Sequence, residues 1–393
     1  MGLLPRYRFP WRKGNHFECL IDSNVFFPRM LDAIGSAQQY VLLEMYLVAS
    51  GIVADRFIQA LLAAADRGVQ VCLLFDDFGS QALNPDDRRQ LAHPNIQTVF
   101  YNPLTSYNTL YNLYRIILRH THRGLYRNHR KLLLVDGHIA FVGGAGITDA
   151  VDSPQQPEKR WRETLIQIQG PVLADWQQLF SESWGKYASQ PLALPHPTPA
   201  SIAEGQSGRV IVNEAHRRGI QRSLIKHLKR ARQRAWIATA YFIPSWNIRR
   251  KLMRAARKGV DVRLLLPGPV TDHPGVRYAS RRYYDKLLKS GVRIYEYTPR
   301  FFHAKTVLCD DWVSIGSCNY DRWNLQWNLE SSQGINSPEV AATVATMFLD
   351  DFSNSREYSY KEWKHRSNWL RALEWFWRRI ELLSIKIRDQ RKR

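Results

Sequence analysis

Apolar positions follow a helical spacing in some stretches and a continuous, strand-like run in others, and the same order of stretches occurs twice. In the first half the pattern predicts helices over 27–38 and 55–67 and strands over 40–47 and 69–75. In the second half it predicts helices over 220–234 and 248–258 and strands over 235–243 and 260–266. Each second helix is followed by a glycine, Gly68 or Gly259, as is typical of a helix end. The sequence therefore predicts an internal duplication.

A short stretch shows this duplication almost residue by residue. Arg67-Gly68-Val69-Gln70-Val71 in the first half corresponds to Lys258-Gly259-Val260-Asp261-Val262 in the second. Strands that alternate with helices indicate parallel sheets covered by helices. We therefore expect an α/β protein made of two duplicated α/β/α domains with mixed, largely parallel sheets, and an active site at the pseudo-twofold interface between them.

Each half also contains a His and a Lys two residues apart at the start of an apolar run. The runs are His129-Arg130-Lys131-Leu132-Leu133-Leu134-Val135-Asp136 and His303-Ala304-Lys305-Thr306-Val307-Leu308-Cys309-Asp310. Because side chains alternate between the two faces of a strand, the His and the Lys share one face and the Asp lies on the other. We expect the His and Lys to act on a substrate and the Asp to anchor the strand or its turn.

A turn and a return strand that ends on small residues follow each run. Asp136-Gly137 is a tight-hairpin signal before the return strand 138–142, and Asp310-Asp311 leads into 312–315. Small residues let backbone N–H groups approach an oxyanion closely. The predicted phosphate-binding residues are therefore those that end the return strands or lie just beyond: Gly143, Gly144, Ser317 and Asn319.

The pattern HxKxxxxD followed by Gly-Gly or Gly-Ser, present twice, resembles the phospholipase D superfamily. The resemblance implies a phospholipase D-like domain at 1–190 and another at 208–360, with a Pro-rich linker at 191–207 and a basic aromatic helix in 361–393. It assigns a catalytic role to the residues of both motifs: His129, Lys131, Asp136, His303, Lys305 and Asp310. The alternative, that the runs are ordinary buried hairpins, leaves two identically placed His-Lys pairs unexplained.

The composition indicates a polyanionic partner. There are 56 Lys and Arg against 35 Asp and Glu, a formal net charge of +21, which suits nucleic acid or an anionic membrane. The 13 Trp and 18 Tyr suit a bilayer interface, unless most Trp side chains lie in the core of a basic soluble enzyme. No stretch approaches the roughly 18 apolar residues of a transmembrane helix, so action on lipid would be from the surface.

Three basic aromatic segments are candidates for membrane contact: 6–13, 107–123 and 369–388. Each has an alternative interpretation, as an ordered tail, a packed helix and a helix buried against the domain, respectively. The four cysteines, Cys19, Cys72, Cys309 and Cys318, form no CxxC pair, which indicates reduced thiols and a cytoplasmic location.

The two His-Lys pairs suit the cleavage of a phosphodiester. Two Lys side chains aimed at one phosphate can neutralise its charge, as a divalent cation does elsewhere. No carboxylate cluster has metal-ligand spacing, so we expect neither a metal ion nor another cofactor. Two His side chains can divide the work of nucleophile and acid if their pKa values differ. The residues alone do not decide which His attacks.

The resemblance to the superfamily implies which His is the nucleophile, and it implies that two carboxylates belong to the site. It implies that His129 attacks to form a phosphohistidine, while His303 acts first as acid and then as base. It also implies a crossed arrangement in which Glu163 orients His303 and Glu330 orients His129. One position departs from the superfamily pattern: Asn319 stands two residues after Ser317, but Gly146 stands two residues after Gly144.

Within the superfamily, the layout most resembles bacterial cardiolipin synthases of the form without N-terminal transmembrane helices. The resemblance extends over nearly the whole chain and includes Trp11-Arg12-Lys13-Gly14-Asn15, Leu43-Glu44, Gly170-Pro171-Val172 and Tyr241-Phe242. It implies transfer of a phosphatidyl group to phosphatidylglycerol with release of glycerol, at the cytoplasmic face of the cell membrane. Phosphatidylglycerol and phosphatidylethanolamine are both candidate donors.

Three other functions remain open. A phospholipase D-type hydrolase would differ only in using water as the acceptor. A nuclease would use the same chemistry, but we find no recognised nucleic-acid-binding motif, which disfavours nucleic acid as a partner. A lipid-binding module without activity is disfavoured by the intact His129, Lys131, His303 and Lys305.

Overall fold

The computed structural model of the chain describes residues 8–103, 126–195, 197, 200–214, 217–321, 325 and 328–377. The predicted helical segment 107–123 lies outside the described residues, as do residues 6–7 of the opening arm and 378–388 of the predicted C-terminal helix. None of the described helices combines the length and the apolar composition that crossing a bilayer requires.

Strands dominate the middle of the fold. They are β1 (Arg12–Ile21), β2 (Tyr40–Met45), β3 (Gln70–Asp76), β4 (Ile96–Tyr101), β5 (Leu132–Val135), β6 (Ile139–Gly143), β7 (Thr164–Gln169), β8 (Gln206–Glu214), β9 (Arg217–Arg218), β10 (Arg234–Ala238), β11 (Asp261–Pro267), β12 (Arg293–Tyr297), β13 (Thr306–Cys309), β14 (Trp312–Gly316), β15 (Glu330–Asn336) and β16 (Ser355–Tyr358).

Helices surround the strands. They are α1 (Ser23–Gly35), α2 (Ile52–Asp66), α3 (Pro85–Gln90), α4 (Asp149–Asp152), α5 (Leu173–Trp184), α6 (Gly219–Arg230), α7 (Trp246–Arg257), α8 (Pro274–Arg281), α9 (Tyr284–Leu288), α10 (Pro338–Ser353) and α11 (Tyr360–Lys364). A further helix, α12, covers 368–377 within the described residues, and Pro157–Lys159 form a 3-10 turn.

The duplication is visible in the order of the strands. The first half runs β4-β3-β2-β5-β6-β7-β1, and the second half runs β12-β11-β10-β13-β14-β15-β8, with β16 added at its outer end. The two series meet where β1 pairs with β8, through Arg12 opposite Gly208 and Asn15 opposite Gln206. One continuous mixed sheet therefore contains both repeats. The proposed domain boundaries near residues 190, 208 and 360 stay a prediction.

The sheet is mixed, as predicted, but it is not largely parallel. Among the described strands, parallel pairing is confined to β2 with β3, β3 with β4, β10 with β11 and β11 with β12. The remaining strand pairs are antiparallel. Each His-Lys motif starts a hairpin, β5-β6 or β13-β14, which lies in the sheet between the parallel strands of its half and the junction of β1 with β8. The expectation of largely parallel sheets was wrong because it counted only the strand-helix units.

The predicted helices and strands of both halves are present, with ends displaced by a few residues. The prediction missed β1, whose sequence begins within the basic aromatic arm 6–13. From residue 8 this arm is packed onto the domain: Phe9 is buried, Arg8 bonds Glu214 at 2.6 Å, and Arg12 makes a bidentate pair with Asp175 at 2.7 and 2.9 Å. The described part of the arm is therefore an ordered part of the fold.

Apolar packing unites the two halves. Helices α1 and α2 cover one face of the first half, and α6 and α7 cover the corresponding face of the second. The other face forms a single core in which α5 and α10 both take part. In this core the indole N–H of Trp176 donates to Oε1 of Gln333, 2.9 Å away in the other half. A buried ion pair also crosses between the halves, from Arg162 to Asp351 at 2.7 and 2.8 Å.

Candidate active site

Two short backbone bridges bring the motifs of both halves together. Asn128 forms a parallel bridge with Leu329, in which the His129 N–H donates to the Leu329 carbonyl at 3.0 Å. The matching bridge joins Arg162 to Phe302, and the His303 N–H donates to the Arg162 carbonyl at 2.9 Å. Both His residues therefore lie just before their strands and not on them, because each segment crosses to the other half.

The bridges place each imidazole beside a carboxylate of the opposite half. Nδ1 of His129 lies 2.9 Å from Oε1 and 3.1 Å from Oε2 of Glu330. Nδ1 of His303 lies 2.5 Å from Oε2 of Glu163. Both carboxylates are fully buried. A proton shared on Nδ1 leaves the lone pair of Nε2 free, which is the tautomer that a nucleophile or base requires.

Both lysines fold back onto their own motifs. The ammonium of Lys131 donates to the His129 carbonyl at 2.8 Å, and that of Lys305 donates to the His303 carbonyl and lies 2.9 Å from its Nδ1. Lys305 is also 3.8 Å from Glu163. Burial lowers the pKa of Lys131 to about 7 and that of Lys305 to about 8, although Glu330 and Glu163 oppose the shift.

The site lowers the pKa of both imidazoles. Burial, followed by the nearby charge of Lys305, lowers the pKa of His303 to about 4 against the opposing effect of Glu163. Burial, followed by Lys131 and Lys305, lowers the pKa of His129 well below its ordinary value. The charge of Lys305 thus acts on both rings, so the two motifs form one site.

The two carboxylates differ. Burial alone would raise the pKa of Glu163, but Lys305 and His303 hold it below the ordinary value. For Glu330, burial prevails and raises the pKa to about 8, despite Lys131 and the hydroxyl of Ser317. Ser317 Oγ donates to Oε2 of Glu330. The site is therefore symmetric in residue type and asymmetric in proton affinity.

Aromatic rings that were not predicted as site residues cover both imidazoles. The Tyr46 ring stands edge-on to His129 at 4.7 Å, with Lys131 Nζ 5.1 Å from its centre. Trp161 and Phe301 lie 4.8 and 5.5 Å from the ring of His303. These rings exclude water from the imidazoles. The sequence hints at these rings only by position: Tyr46 lies near the end of the predicted strand 40–47, and Trp161 precedes Glu163 by two residues.

The two motif aspartates are not in the catalytic group. Asp136 accepts hydrogen bonds from the N–H groups of Gln38, Gln39 and Tyr40 at 2.7–2.9 Å, and Asp310 accepts those of Arg232, Gln233 and Arg234 at 2.9–3.1 Å. Asp136 lies seven positions after His129, roughly 20 Å along an extended chain. Both aspartates thus hold the preceding loop, in agreement with the anchoring role expected from the strand pattern. These contacts give no support to the catalytic role that the resemblance implied.

The small residues make room for the carboxylates. A Cβ at Gly144 would lie 2.6 Å from Oε2 of Glu163, and one at Gly143 would lie 2.7 Å from the Thr164 carbonyl. The Ser317 N–H donates to the Ser331 carbonyl at 3.0 Å. The Ser317 N–H is thus already bonded to a backbone carbonyl, and the packing of Gly143 and Gly144 gives them a steric role. The predicted contact of Gly143, Gly144 and Ser317 with phosphate stays a prediction.

The departure at Gly146 has a steric cause. A Cβ at Gly146 would lie 2.8 Å from the Leu47 carbonyl, so no side chain fits there. The buried Asn319 of the other half bonds Thr239, with Oδ1 accepting from the hydroxyl at 3.3 Å. Its contact with phosphate stays a prediction.

The sequence analysis did not predict a buried polar cluster beside His129, formed by Asn128, Glu44 and Asp76. Asn128 donates its N–H to Asp76 at 2.8 Å and its side-chain amide to Glu44 at 2.6 Å. Both carboxylates are fully buried, and burial raises the pKa of Asp76 to about 6. They come from the carboxyl ends of β2 and β3, where the sequence shows acidic residues at the end of apolar runs. They fix the backbone immediately before His129.

The chain matches the family model described as "Cardiolipin synthase, PLD-like domain" over residues 30–184 and 224–352. It is 33% identical over 338 residues to cardiolipin synthase B of Salmonella typhi, covering 82% of this chain and 76% of that protein. It is 30% identical over 363 residues to cardiolipin synthase A of Pseudomonas aeruginosa, covering 91% and 71%. A phosphatidylserine synthase structure from Haemophilus influenzae superposes with a TM-score of 0.70 at 14% identity, covering 95% of this chain and 94% of that one, and so shares the fold.

Proposed function

The chain belongs to the cardiolipin synthase, phospholipase D-like domain family, and on this premise we propose that it transfers a phosphatidyl group to phosphatidylglycerol. The product is cardiolipin and the released alcohol is glycerol when phosphatidylglycerol is also the donor. The observation that carries this function is the crossed pair of contacts, His129 with Glu330 and His303 with Glu163. It gives one site two imidazoles, each beside a buried carboxylate, and the two carboxylates differ in proton affinity. A two-step phosphoryl transfer needs such a difference between its nucleophile and its acid.

In the first step His129 is the nucleophile. Its Nε2 forms a bond to phosphorus while the bond from phosphorus to the leaving alcohol oxygen breaks, and His303 gives that oxygen a proton. Lys131 and Lys305 neutralise the phosphate oxygens, whose charge increases in the transition state. Neutral His129 suits attack, and ionised Glu163 stabilises the imidazolium form of His303 from which the proton is released.

In the second step the acceptor replaces the alcohol. A glycerol hydroxyl of phosphatidylglycerol gives its proton to His303, its oxygen bonds to phosphorus, and the bond from phosphorus to His129 breaks. The enzyme returns to its initial protonation state, so donor and acceptor supply all atoms of the products. Water would give phosphatidic acid instead, and the rings of Tyr46, Trp161 and Phe301 help to limit its access.

The partner in this proposal is a membrane that contains anionic phospholipid. We place the protein peripherally at the cytoplasmic face of the cell membrane, where its net charge of +21 favours an anionic leaflet. Phosphatidylglycerol is the acceptor, and phosphatidylglycerol or phosphatidylethanolamine is the donor. No metal ion is required, because the two lysines supply the positive charge at the phosphate.

Mass spectrometry of lipids tests the proposed function. The protein is incubated with phosphatidylglycerol vesicles in the presence of a chelator, with and without phosphatidylethanolamine, beside a His129→Ala control. We expect cardiolipin only with the unchanged protein. Isotopic labels on the two lipids identify the donor.

Other outcomes separate the alternatives. Phosphatidic acid as the sole product would identify a hydrolase. An absence of lipid turnover in this assay, with cleavage of single- or double-stranded DNA under the same conditions, would identify a nuclease. Activity that needs added divalent cation would contradict metal independence.

A further inference from the structure

Large apolar side chains are exposed at equivalent positions of the two halves. Ile52 and Trp246 are the first residues of α2 and α7, the helices that follow β2 and β10, and they are 39% and 59% exposed. Phe78 and Val270 lie in the loops after β3 and β11 and are 50% and 49% exposed. We call these four residues the apolar rim.

The apolar rim borders the candidate active site. Phe78 follows Asp76 by two residues, and Asp76 holds the backbone immediately before His129. Val270 precedes Asp272 by two residues, and the charge of Asp272 acts on both His303 and Lys305. All four rim residues thus follow the carboxyl ends of parallel strands, the ends at which the two imidazoles meet.

A tyrosine precedes each of the helices α2 and α7 and lies between the apolar rim and the candidate active site. Tyr46 covers His129 and precedes Ile52 by six residues, and Tyr241 precedes Trp246 by five. Tyr241 donates its hydroxyl to Asp272 at 2.5 Å, and the charge of Asp272 acts on His303, so Tyr241 borders the His303 half of the site as Tyr46 borders the His129 half. Equivalent rim residues therefore flank one site from two sides.

Arginine side chains accompany the aromatic members of the rim in each half. The guanidinium of Arg127 lies 5.3 Å from the centre of the Phe78 ring, and that of Arg250 lies 4.5 Å from the centre of the Trp246 ring. An exposed aromatic ring with an arginine beside it suits the boundary between acyl chains and anionic headgroups. Two such rings, together with the exposed Ile52 and Val270, group apolar side chains around one site, as is typical of a contact surface.

We propose that the apolar rim inserts into the headgroup region of an anionic phospholipid bilayer and holds the site open towards the lipid. This inference rests on the proposed function only in its choice of lipid as partner. Residues from both halves insert together, so a phosphodiester group at the headgroup level would lie near the two lysines. The rim thus defines the orientation in which the protein docks.

Vesicle binding tests the apolar rim, with a matched control in the same chain. Trp11 is 37% exposed with Arg209 4.7 Å from its ring, and it lies roughly 30 Å along β1 from the end that meets Glu163. Ile202 and Tyr360 are 38% and 36% exposed, and Ile202 bonds Gly14 near the same far end of β1. The rim variant carries Ser at all four rim positions, and the control carries Ser at Trp11, Ile202 and Tyr360.

We expect sedimentation with phosphatidylglycerol vesicles to weaken by at least about tenfold in the rim variant, because it loses apolar area that the bilayer would cover. Binding should weaken by less than about twofold in the control, because its three side chains lie outside the proposed contact. Circular dichroism and thermal unfolding verify that both are folded. Equal binding by the rim variant and the unchanged protein would overturn the proposal. Because binding needs no turnover, this result is independent of whether the protein makes cardiolipin.

A second measurement keeps the fold almost unchanged. Vesicles with brominated acyl chains quench the fluorescence of tryptophans that reach the acyl chains. We expect the quenched fraction to fall in Trp246→Phe and to stay unchanged in Trp11→Phe. A fall in Trp11→Phe alone would place the membrane at the other end of β1 and overturn the proposal. Binding without any loss of quenching in Trp246→Phe would also overturn it.

Discussion

The two half-sites contain the same residue types, one His, one Lys and one Glu, in different surroundings. The first half-site, His129 with Lys131 and Glu330, is supported by Asn128 between Glu44 and Asp76. In the second half-site, His303 with Lys305 and Glu163, the strand register places other residues at those three positions: Phe302, Ala238 and Pro267. The duplication has thus kept the reacting groups and replaced a polar support with an apolar one.

A second difference concerns the carboxylates themselves. Ser317 donates its hydroxyl to Glu330, whereas the equivalent Gly144 leaves only space for Glu163. The pKa of Glu163 is nevertheless held low by Lys305 and His303, and that of Glu330 is raised by burial to about 8. We propose that this difference assigns the roles: His303, beside the more acidic carboxylate, takes up and releases protons, and His129 attacks.

The largest difference between the half-sites is expected between the variants of the two histidines, compared on substrates with different leaving groups. His129→Ala is expected to abolish turnover of every substrate, because the nucleophile is lost. His303→Ala should slow turnover of phospholipid by about 10²–10⁴-fold, the usual contribution of an acid catalyst. A phosphatidyl ester of p-nitrophenol, which leaves without a proton, should restore the first step in His303→Ala but not in His129→Ala, because the second step still needs His303 as base. A rapid burst of p-nitrophenol in the first turnover measures this, and an equal burst in both variants would contradict the assignment.

A smaller difference is expected between the two glutamates. Glu163→Gln should slow phospholipid turnover by about 10²-fold, because His303 loses the carboxylate that stabilises its charged form. Glu330→Gln should cost about tenfold, because a glutamine can still accept from Nδ1 of His129 and the charge lost is smaller. Turnover rates of the two variants under saturating lipid measure the difference. A larger effect at Glu330 would reverse the assigned roles.

The two lysines make binding of the phosphodiester depend on pH. Their lowered pKa values, about 7 for Lys131 and about 8 for Lys305, mean that protons are lost as pH rises through this range, and an anion binds more weakly to neutral lysines. The Kd for dimethyl phosphate, whose charge stays constant, should rise at least about tenfold from pH 6 to pH 9.

Calorimetric titration with dimethyl phosphate at several pH values measures this Kd, and two variants separate the contributions of the two lysines. Lys305→Met leaves Lys131 as the titrating group, and its midpoint should lie at lower pH than that of Lys131→Met. A Kd that does not change between pH 6 and pH 9 would show that both lysines keep their ordinary pKa.

The smallest difference is expected where the halves are alike. Asp136→Ala and Asp310→Ala should each lower the free energy of unfolding by about 2 kcal/mol, because each removes the acceptor of three backbone N–H groups. Turnover at low temperature should change little in either variant. Denaturant unfolding and initial rates provide the two measurements. A loss of turnover without a loss of stability would return these aspartates to the catalytic group.

The sequence predicted the parts of this molecule that depend on local pattern. Both His-Lys motifs, the hairpin at Asp136-Gly137 and the repeated order of helices and strands are local features. The positive φ of both hairpin residues, 51° and 67°, fits the predicted tight turn. The proximity of Glu163 and Glu330 to the opposite motifs followed from the resemblance and not from spacing.

Features that depend on strand register could not be predicted. The pairing of β1 with β8 was not predicted, because β1 has a polar, basic sequence without the alternation typical of a strand. Asn128, Glu44 and Asp76 meet through the pairing of β2, β3 and β5, and nothing in their spacing reveals it. For the motif aspartates, the strand pattern predicted an anchoring role, whereas the motif carried over as a whole implied a catalytic one. The strand separates the two ends of the motif, and the contacts of both aspartates favour the first prediction.

The most direct test of the unequal half-sites is to locate the covalent intermediate. The protein is mixed with phosphatidylglycerol, denatured in alkali within the first turnover and digested, and mass spectrometry identifies the peptide that carries the phosphatidyl group. The account predicts an adduct on His129 in the unchanged protein and in His303→Ala, and none in His129→Ala. An adduct on His303, or similar amounts on both residues, would contradict it.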